Sequence, residues 1–320
     1  MQQKVMFVLG ANGFIGKEVV RQARASGWTV KGLVRNESSG KALLAQGAVP
    51  VIGDASAPDE WIDAARHCDV LVDLVQPKVQ SRLTRKAVAK ISAERQALTA
   101  SLLSALERIP ETERPQFFYI SGTEDLAPDA DHWIGSQSKL SPTLSGFGHI
   151  GIPVRRLIEA SGVAATFICL GLVYGPGKAF ADSILPQIAG GKWRNVAGGT
   201  NRLPLVHVED AARGIVHLAG LERARLQHAT FVLADPSAST AQAVFAHAAD
   251  LLGAKPPGSA PAWLASLIAG CVSVQTITQD LRVDPKGLFE TGFSFKYPSH
   301  REGLPPTLAA LGYAVRPVVD

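Results

Sequence analysis

Three glycines at every third position, Gly10, Gly13 and Gly16 in GANGFIG, stand between an apolar run, Lys4–Leu9, and the helical pattern of Phe14–Ala25. Glycines at this spacing let backbone N–H groups close on a pyrophosphate and let the helix pack tightly on the strand, while the helix N-terminus favours negative charge. The chemistry expected of Gly10, Asn12, Gly13, Phe14, Ile15 and Gly16 is therefore dinucleotide binding. The strand, turn and helix that such a motif needs are all present around it. A second stretch, GFGHIGIPVRRLIEASG from Gly146 to Gly162, joins a loose, glycine-rich start to a helical pattern with Val154, Leu157 and Ile158 on one face. Its His149 can take or give a proton near neutral pH.

The elements that must position these groups alternate along the chain. A second strand, Thr29–Val34, ends at Arg35 and Asn36, where an acidic residue would select NAD by its ribose hydroxyls and an arginine accommodates the additional phosphate of NADP. Arg35 points to NADP; a solvated charge after a strand is the other reading. Val49–Ile52 forms a third strand, with Asp54 and Ala55 beyond it to meet the adenine. A fourth, Asp69–Leu74, delivers Val75 and Gln76 to the cofactor crevice.

Composition narrows the function classes. The 320 residues are 46% hydrophobic and 19% charged, which suits a globular α/β chain with a smaller second lobe. The formal charge of +4 is scattered, so nucleic acid is not the expected partner and a small molecule is. Cys68, Cys169 and Cys271 lie far apart without metal-ligand spacing, which points to a reducing, cytoplasmic compartment. MQQKVMFVLGANG runs straight into the glycine turn and reads as a strand, not a leader. The apolar stretch Ala260–Val274 falls short of the roughly 18 residues of a membrane span. It reads as a buried or substrate-facing helix, and no stable membrane insertion is expected.

GANGFIG, GDASAPD after the third strand, FFYISGT at the fifth, LGLVYGPG after the sixth, and LPLVHVEDAARGI together resemble the extended or atypical short-chain dehydrogenase/reductase superfamily, the epimerase/dehydratase-like group. The resemblance spans nearly the whole chain. It implies a Rossmann-type doubly wound parallel α/β sheet of about seven strands with a smaller C-terminal substrate lobe. Residues 1–175 are then the NADP-binding domain and 176–320 mainly the substrate lobe, with a strand near 229–234 returning to the sheet. Leu172 and Val173 fit the loop that passes the nicotinamide. Thr123 matches the hydroxyl that bonds the substrate oxygen, with a turn or cap role the alternative, and Ser121 at the strand tip is expected to border the cofactor. The family's frequent dimer uses the long helix matched here by Arg82–Glu107, and core packing explains its leucines equally well.

One part of the resemblance fails. Members pair a tyrosine acid with a lysine four residues on, one helix face carrying both. Phe147 and Gly151 stand at those places here, and the glycines put the helix start near Ile152. With the acid missing, Thr123 and His149 are the candidate catalytic residues; His132 is a second candidate histidine, a surface or packing role is the other reading of both, substrate or a water held by Thr123 is another proton source, and His207 reads as structural or pocket-lining. Lys192, Arg194 and Arg202 fit an anionic substrate or plain solvated charges, and Trp263, Leu264 and Leu267 an apolar or aromatic substrate or core packing. The leading expectation is an NADP(H)-dependent reductase with an atypical proton donor. A non-catalytic NADP(H) sensor and a non-redox isomerase, cyclase or lyase are the rivals.

Overall fold

The computed structural model describes residues 3–77, 82–178 and 180–315. Met1, Gln2 and Ala179, which fall within segments considered above, lie outside them. Seven parallel strands form the central sheet: β1 (Val5–Leu9), β2 (Thr29–Val34), β3 (Val49–Ile52), β4 (Val70–Asp73), β5 (Gln116–Gly122), β6 (Ala165–Leu170) and β7 (Thr230–Leu233). Their order is β7-β6-β5-β4-β1-β2-β3, so the winding reverses between β1 and β4. A doubly wound sheet opens its ligand crevice at that reversal, beyond the carboxyl ends of the strands.

The central strands read as continuous apolar runs because both faces are covered. Alternate β1 residues serve opposite cores. Met6 and Val8 pack with Val19 and Val20 of α1 (Phe14–Ala25) and with Ala211 and Ile215 of the helix Val208–Ala219. Phe7 and Leu9 pack with Leu102 and Leu106 of the long helix Arg85–Glu107 and with Val154 and Ile158 of the helix Gly148–Glu159. In chain order these become, with α2 (Glu37–Leu44) after α1, α3 (Arg85–Glu107), α4 (Gly148–Glu159) and α5 (Val208–Ala219). Leu102, Leu103 and Leu106 of α3 are thus buried in the chain's own core, and Leu98 is half-buried.

Past β6 the chain builds a smaller lobe around Tyr174, Phe180, Leu185, Phe245 and Leu304, using α6 (Ala241–Leu251) and further helices α7 (Ala262–Ala269), α8 (Cys271–Thr278) and α9 (His300–Ala310). β7 returns from this region to the sheet edge beside β6. Two expectations are corrected. The apolar stretch is not one buried helix: α7 has no buried residue, and Gly270, whose φ is +88°, cuts it from α8, where Val272 and Val274 are buried. And α4 begins at Gly148, not near Ile152, with the N–H groups of Ile150 and Gly151 both donating to the Phe147 carbonyl. Propensity argued against a helix through those glycines; the packing described below overrides it. Among the described residues, no helix is long and apolar enough to cross a membrane.

Candidate active site

The first turn has the form of a phosphate cradle. Gly10 takes φ +78° and its carbonyl accepts from the Gly13 N–H at 2.8 Å. A side chain is excluded at the next glycine: a Cβ on Gly16 would stand 2.1 Å from the Gly10 oxygen. No side chain caps α1 at Gly13, so its first N–H groups, from Phe14 on, lack the intrahelical carbonyl partners of later turns. The surroundings converge on this turn. A Cβ on Gly10 would lie 3.0 Å from the Leu74 carbonyl beyond β4, and one on Gly177 would touch the Phe14 ring at 3.3 Å. The β4 tip with Val75 and exposed Gln76, and the loop that follows Leu172 and Val173, therefore border one crevice with the glycine turn. Val75 is held there by its N–H, which donates to Asp73 Oδ1 at 3.0 Å.

Arg35 is exposed at the β2 tip, and its charge acts on Asp54 at the β3 tip. The Asp54 carboxylate sits below its ordinary range chiefly because Ser56 donates to it from hydroxyl and backbone. Ala55 is half-buried beside it against the sheet core. Two expected ligand groups are partly committed elsewhere. Asn36 caps α2, its Oδ1 accepting from the Ser39 N–H, and Asn12 donates through Nδ2 to the Ser39 carbonyl at 2.9 Å. Asn12 Oδ1 is buried without a partner, so this side chain locks the glycine turn to the start of α2 and keeps one acceptor unused.

The β5 tip holds what sequence reasoning missed. Thr123 is 3% exposed, and directly after it come Glu124 and Asp125, two carboxyl groups where an apolar strand meets a helix terminus. α4 lies so close over this turn that a Cβ on Gly148 would stand 2.9 Å from the Glu124 carbonyl. A Cβ on Gly151 would stand 2.1–2.5 Å from the Asp125 carboxyl atoms. The loose backbone thus has a packing cause: Gly151 leaves the space that the Asp125 carboxyl fills. Burial, followed by the like charge of Glu124, pushes Asp125 up to about 8, with Ser121 and Arg155 pulling the other way. Burial also raises Glu124, which lies beside Thr276 of α8 and the Phe147 backbone. Asp125 Oδ2 has no hydrogen-bond partner. Beneath the pair, the Ser121 hydroxyl stands 3.5 Å from the Cys169 thiol, which burial pushes up to about 12. Arg155, one helical turn beyond Gly151, donates to Glu159 and Thr230 and lies 4.2 Å from the Phe167 ring centre.

Residues 6–234 match the pattern of the NAD dependent epimerase/dehydratase family. The chain belongs to that family. A curated relative, a 3-diazoavenalumate denitrifying reductase from Streptomyces, is 27% identical and covers 93% of this chain and 98% of its own length. The human epimerase family protein SDR39U1 with NADPH superposes with TM-score 0.79 at 18% identity, over 95% of this chain and 99% of that one. UDP-glucuronic acid 4-epimerase from Bacillus cereus, in complex with UDP-4-deoxy-4-fluoro-glucuronic acid and NAD, does so with TM-score 0.76 at 16% identity, over 96% of this chain and 99% of that one.

Within this epimerase/dehydratase member, the remaining sequence candidates are scattered. His149 is half-buried on α4, where burial and then the Arg85 charge lower its pKa; Arg85 begins α3, so His149 is turned toward that helix. His132 lies on an exposed turn with φ +66°. His207 caps α5 through Nδ1 and pairs through Nε2 with Thr307 at 3.2 Å. Arg202 is engaged by Asp280, whose carboxylate accepts from both its backbone N–H and its guanidinium. Lys192 and Arg194 are exposed, as are Trp263, Leu264 and Leu267. A buried ion pair supports the crevice from behind: Asp73, at the end of β4, meets Arg95 of α3 at 2.5 Å, and Arg95 also donates to Thr99. Arg95 falls in the apolar row Ile91, Arg95, Thr99, Leu102, and Asp73 ends the apolar run VLV; a charge inside such a row is the signal that a sequence carries.

Proposed function

We propose that this chain is an NADP(H)-dependent reductase of a small apolar or aromatic molecule, with Asp125 in place of the tyrosine and lysine as the source of the proton. The observation that carries this reading is the buried Asp125 carboxyl, seated in the space left by Gly151, where burial raises its pKa. The reductase named above, similar along nearly its full length, favours reduction over epimerisation.

The cradle fits a dinucleotide: Gly10 and Gly16 leave no room for a Cβ, and α1 offers N–H groups uncapped by any side chain to a pyrophosphate. Arg35 would meet the 2′-phosphate, with Asp54, Ala55, Val75, Gln76, Leu172 and Val173 along the rest of the crevice. When bound, NADPH supplies a hydride to the electrophilic carbon of a ketone, imine or activated double bond. Thr123 binds the substrate atom that gains the proton. Asp125, its pKa raised by burial, gives a proton to that atom by way of the Ser121 hydroxyl and recovers one along the same route when product leaves the crevice open to solvent. Burial that excludes water keeps the acid neutral until it is used. The three free cysteines suit a reducing compartment.

Titration of the chain with NADPH and NADH, followed by cofactor fluorescence, tests the cofactor assignment. NADPH is expected to bind at least about tenfold tighter, roughly 1.4 kcal/mol, and Arg35→Ala to abolish that preference while sparing NADH. A wild-type preference for NADH refutes the choice of NADP. Tight NADPH binding without its oxidation across a panel of aromatic ketones, imines and enones refutes the reductase reading.

A further inference from the structure

α7 inverts the usual arrangement of a surface helix. Its large side chains point outward, with Trp263 67%, Leu264 40%, Leu267 59% and Ile268 73% exposed. Its inward residues are small: Ala262, Ala265, Ser266 and Ala269 are the partly covered ones. Positions 263, 264, 267 and 268 fall within an arc of about 140° on a helix, so the four form one continuous ridge. A helix that rests on alanines and lifts a tryptophan, two leucines and an isoleucine into solvent gains nothing from the fold for doing so.

The chain segments that reach this ridge carry charge of one sign. The sequence has no Asp or Glu from 251 to 279, which contains α7, nor from 183 to 208, nor from 74 to 93. These segments meet at α7. The strand Gly258–Ala260, which leads into α7, pairs with Arg194–Val196 and sets Arg194 beside its N-terminal end. At the other end, Leu83 donates to the Ala269 carbonyl and accepts from the Val272 N–H, so Arg82 and the first turn of α3 border the ridge there. Arg82, Arg85, Lys86, Lys192, Arg194 and Lys255 are all exposed.

We propose that α7 is a docking face for an anionic lipid surface, on which the chain sits peripherally. An apolar ridge with a tryptophan, flanked by segments that carry arginines and lysines and no carboxylate, matches the headgroup boundary of an acidic bilayer: the basic residues meet phosphates and the ridge enters the acyl edge. A soluble protein partner or a second copy would need carboxylates opposite these basic residues, and a second copy would bring its own like-charged segments to the same face. α7 is eight residues long, enough to lie in the interface and too short to span. The proposal stands apart from the reaction assigned above.

The test uses the purified full chain with vesicles of phosphatidylcholine alone and of phosphatidylcholine mixed equally with phosphatidylglycerol, read by co-sedimentation. Binding to the acidic vesicles is expected to be at least about tenfold tighter, and to weaken as ionic strength rises. Leu267→Ser/Ile268→Ser and Arg82→Glu/Lys86→Glu are each expected to reduce it about tenfold with unchanged circular dichroism, since all four residues are exposed. No binding to acidic vesicles, or binding that neither variant reduces, overturns the proposal. So does a dimer in sedimentation velocity that Leu267→Ser/Ile268→Ser dissolves, because the ridge would then belong to a second copy.

Discussion

Consider replacing Gly151 by alanine. On an exposed helix this change stabilises by up to about 1 kcal/mol, because alanine orders more cheaply than glycine. Here the new Cβ would lie 2.1, 2.3 and 2.5 Å from Asp125 Oδ1, Oδ2 and Cγ, where ordinary contact begins near 3.4 Å. The carboxyl must retreat by about 1 Å or α4 must lift from the β5 tip, and Asp125 is 1% exposed with no open side to retreat into. Overpacking of this kind costs about 1–3 kcal/mol, which outweighs the helix gain and leaves Gly151→Ala less stable by about 1–2 kcal/mol. Asp125→Ala removes the obstacle, so the double variant should be more stable than the two single effects predict, by about 1–3 kcal/mol. Urea unfolding of the four proteins, followed by tryptophan fluorescence, measures the cycle. A Gly151→Ala protein as stable as the wild type, or a cycle without coupling, refutes the claim that the glycine exists to seat the carboxyl. The same geometry governs any attempt to rebuild the usual pair: a lysine at 151 can be accommodated only with Asp125 shortened.

Two further outcomes follow from buried charge. The unfolded Asp125 carboxyl ionises near pH 4 while the folded one holds its proton to about 8, so the wild type should lose stability as pH rises through that window. Asp125→Asn should flatten this slope in urea midpoints taken between pH 5 and 8; a slope unchanged in the variant would contradict the neutral acid. Asp73→Ala strands the Arg95 guanidinium, itself 1% exposed, and should cost about 3–5 kcal/mol in urea unfolding, whereas a loss below about 1 kcal/mol would show that the pair is not what holds the β4 tip.

The contrast between the two halves of the site has a physical origin. Cofactor cradles are built from backbone and short range along the chain: three glycines, a strand before and a helix after put their whole requirement into GANGFIG, and Arg35 follows one strand later. The strand order is legible for the same reason, since alternating apolar runs and helices leave a parallel sheet few arrangements. The acid is of another kind. Nothing in SGTEDL distinguishes a solvated Glu-Asp pair from a buried one; burial comes from α4, more than twenty residues on, pressing Gly148 and Gly151 against it. Read alone, those glycines signal a weak helix and a delayed start. Read against the β5 tip, they are the complement of a carboxyl, and the helix begins where they allow it. His149 lies within the altered segment, yet what the glycines there provide is room for the Asp125 carboxyl. α7 teaches the same lesson with the opposite sign: its hydrophobicity is plain in the sequence, but only the alanines on its inner side reveal that the apolar residues face out. A glycine where a family keeps a functional side chain therefore calls for a search across the fold for the group that moved into the space.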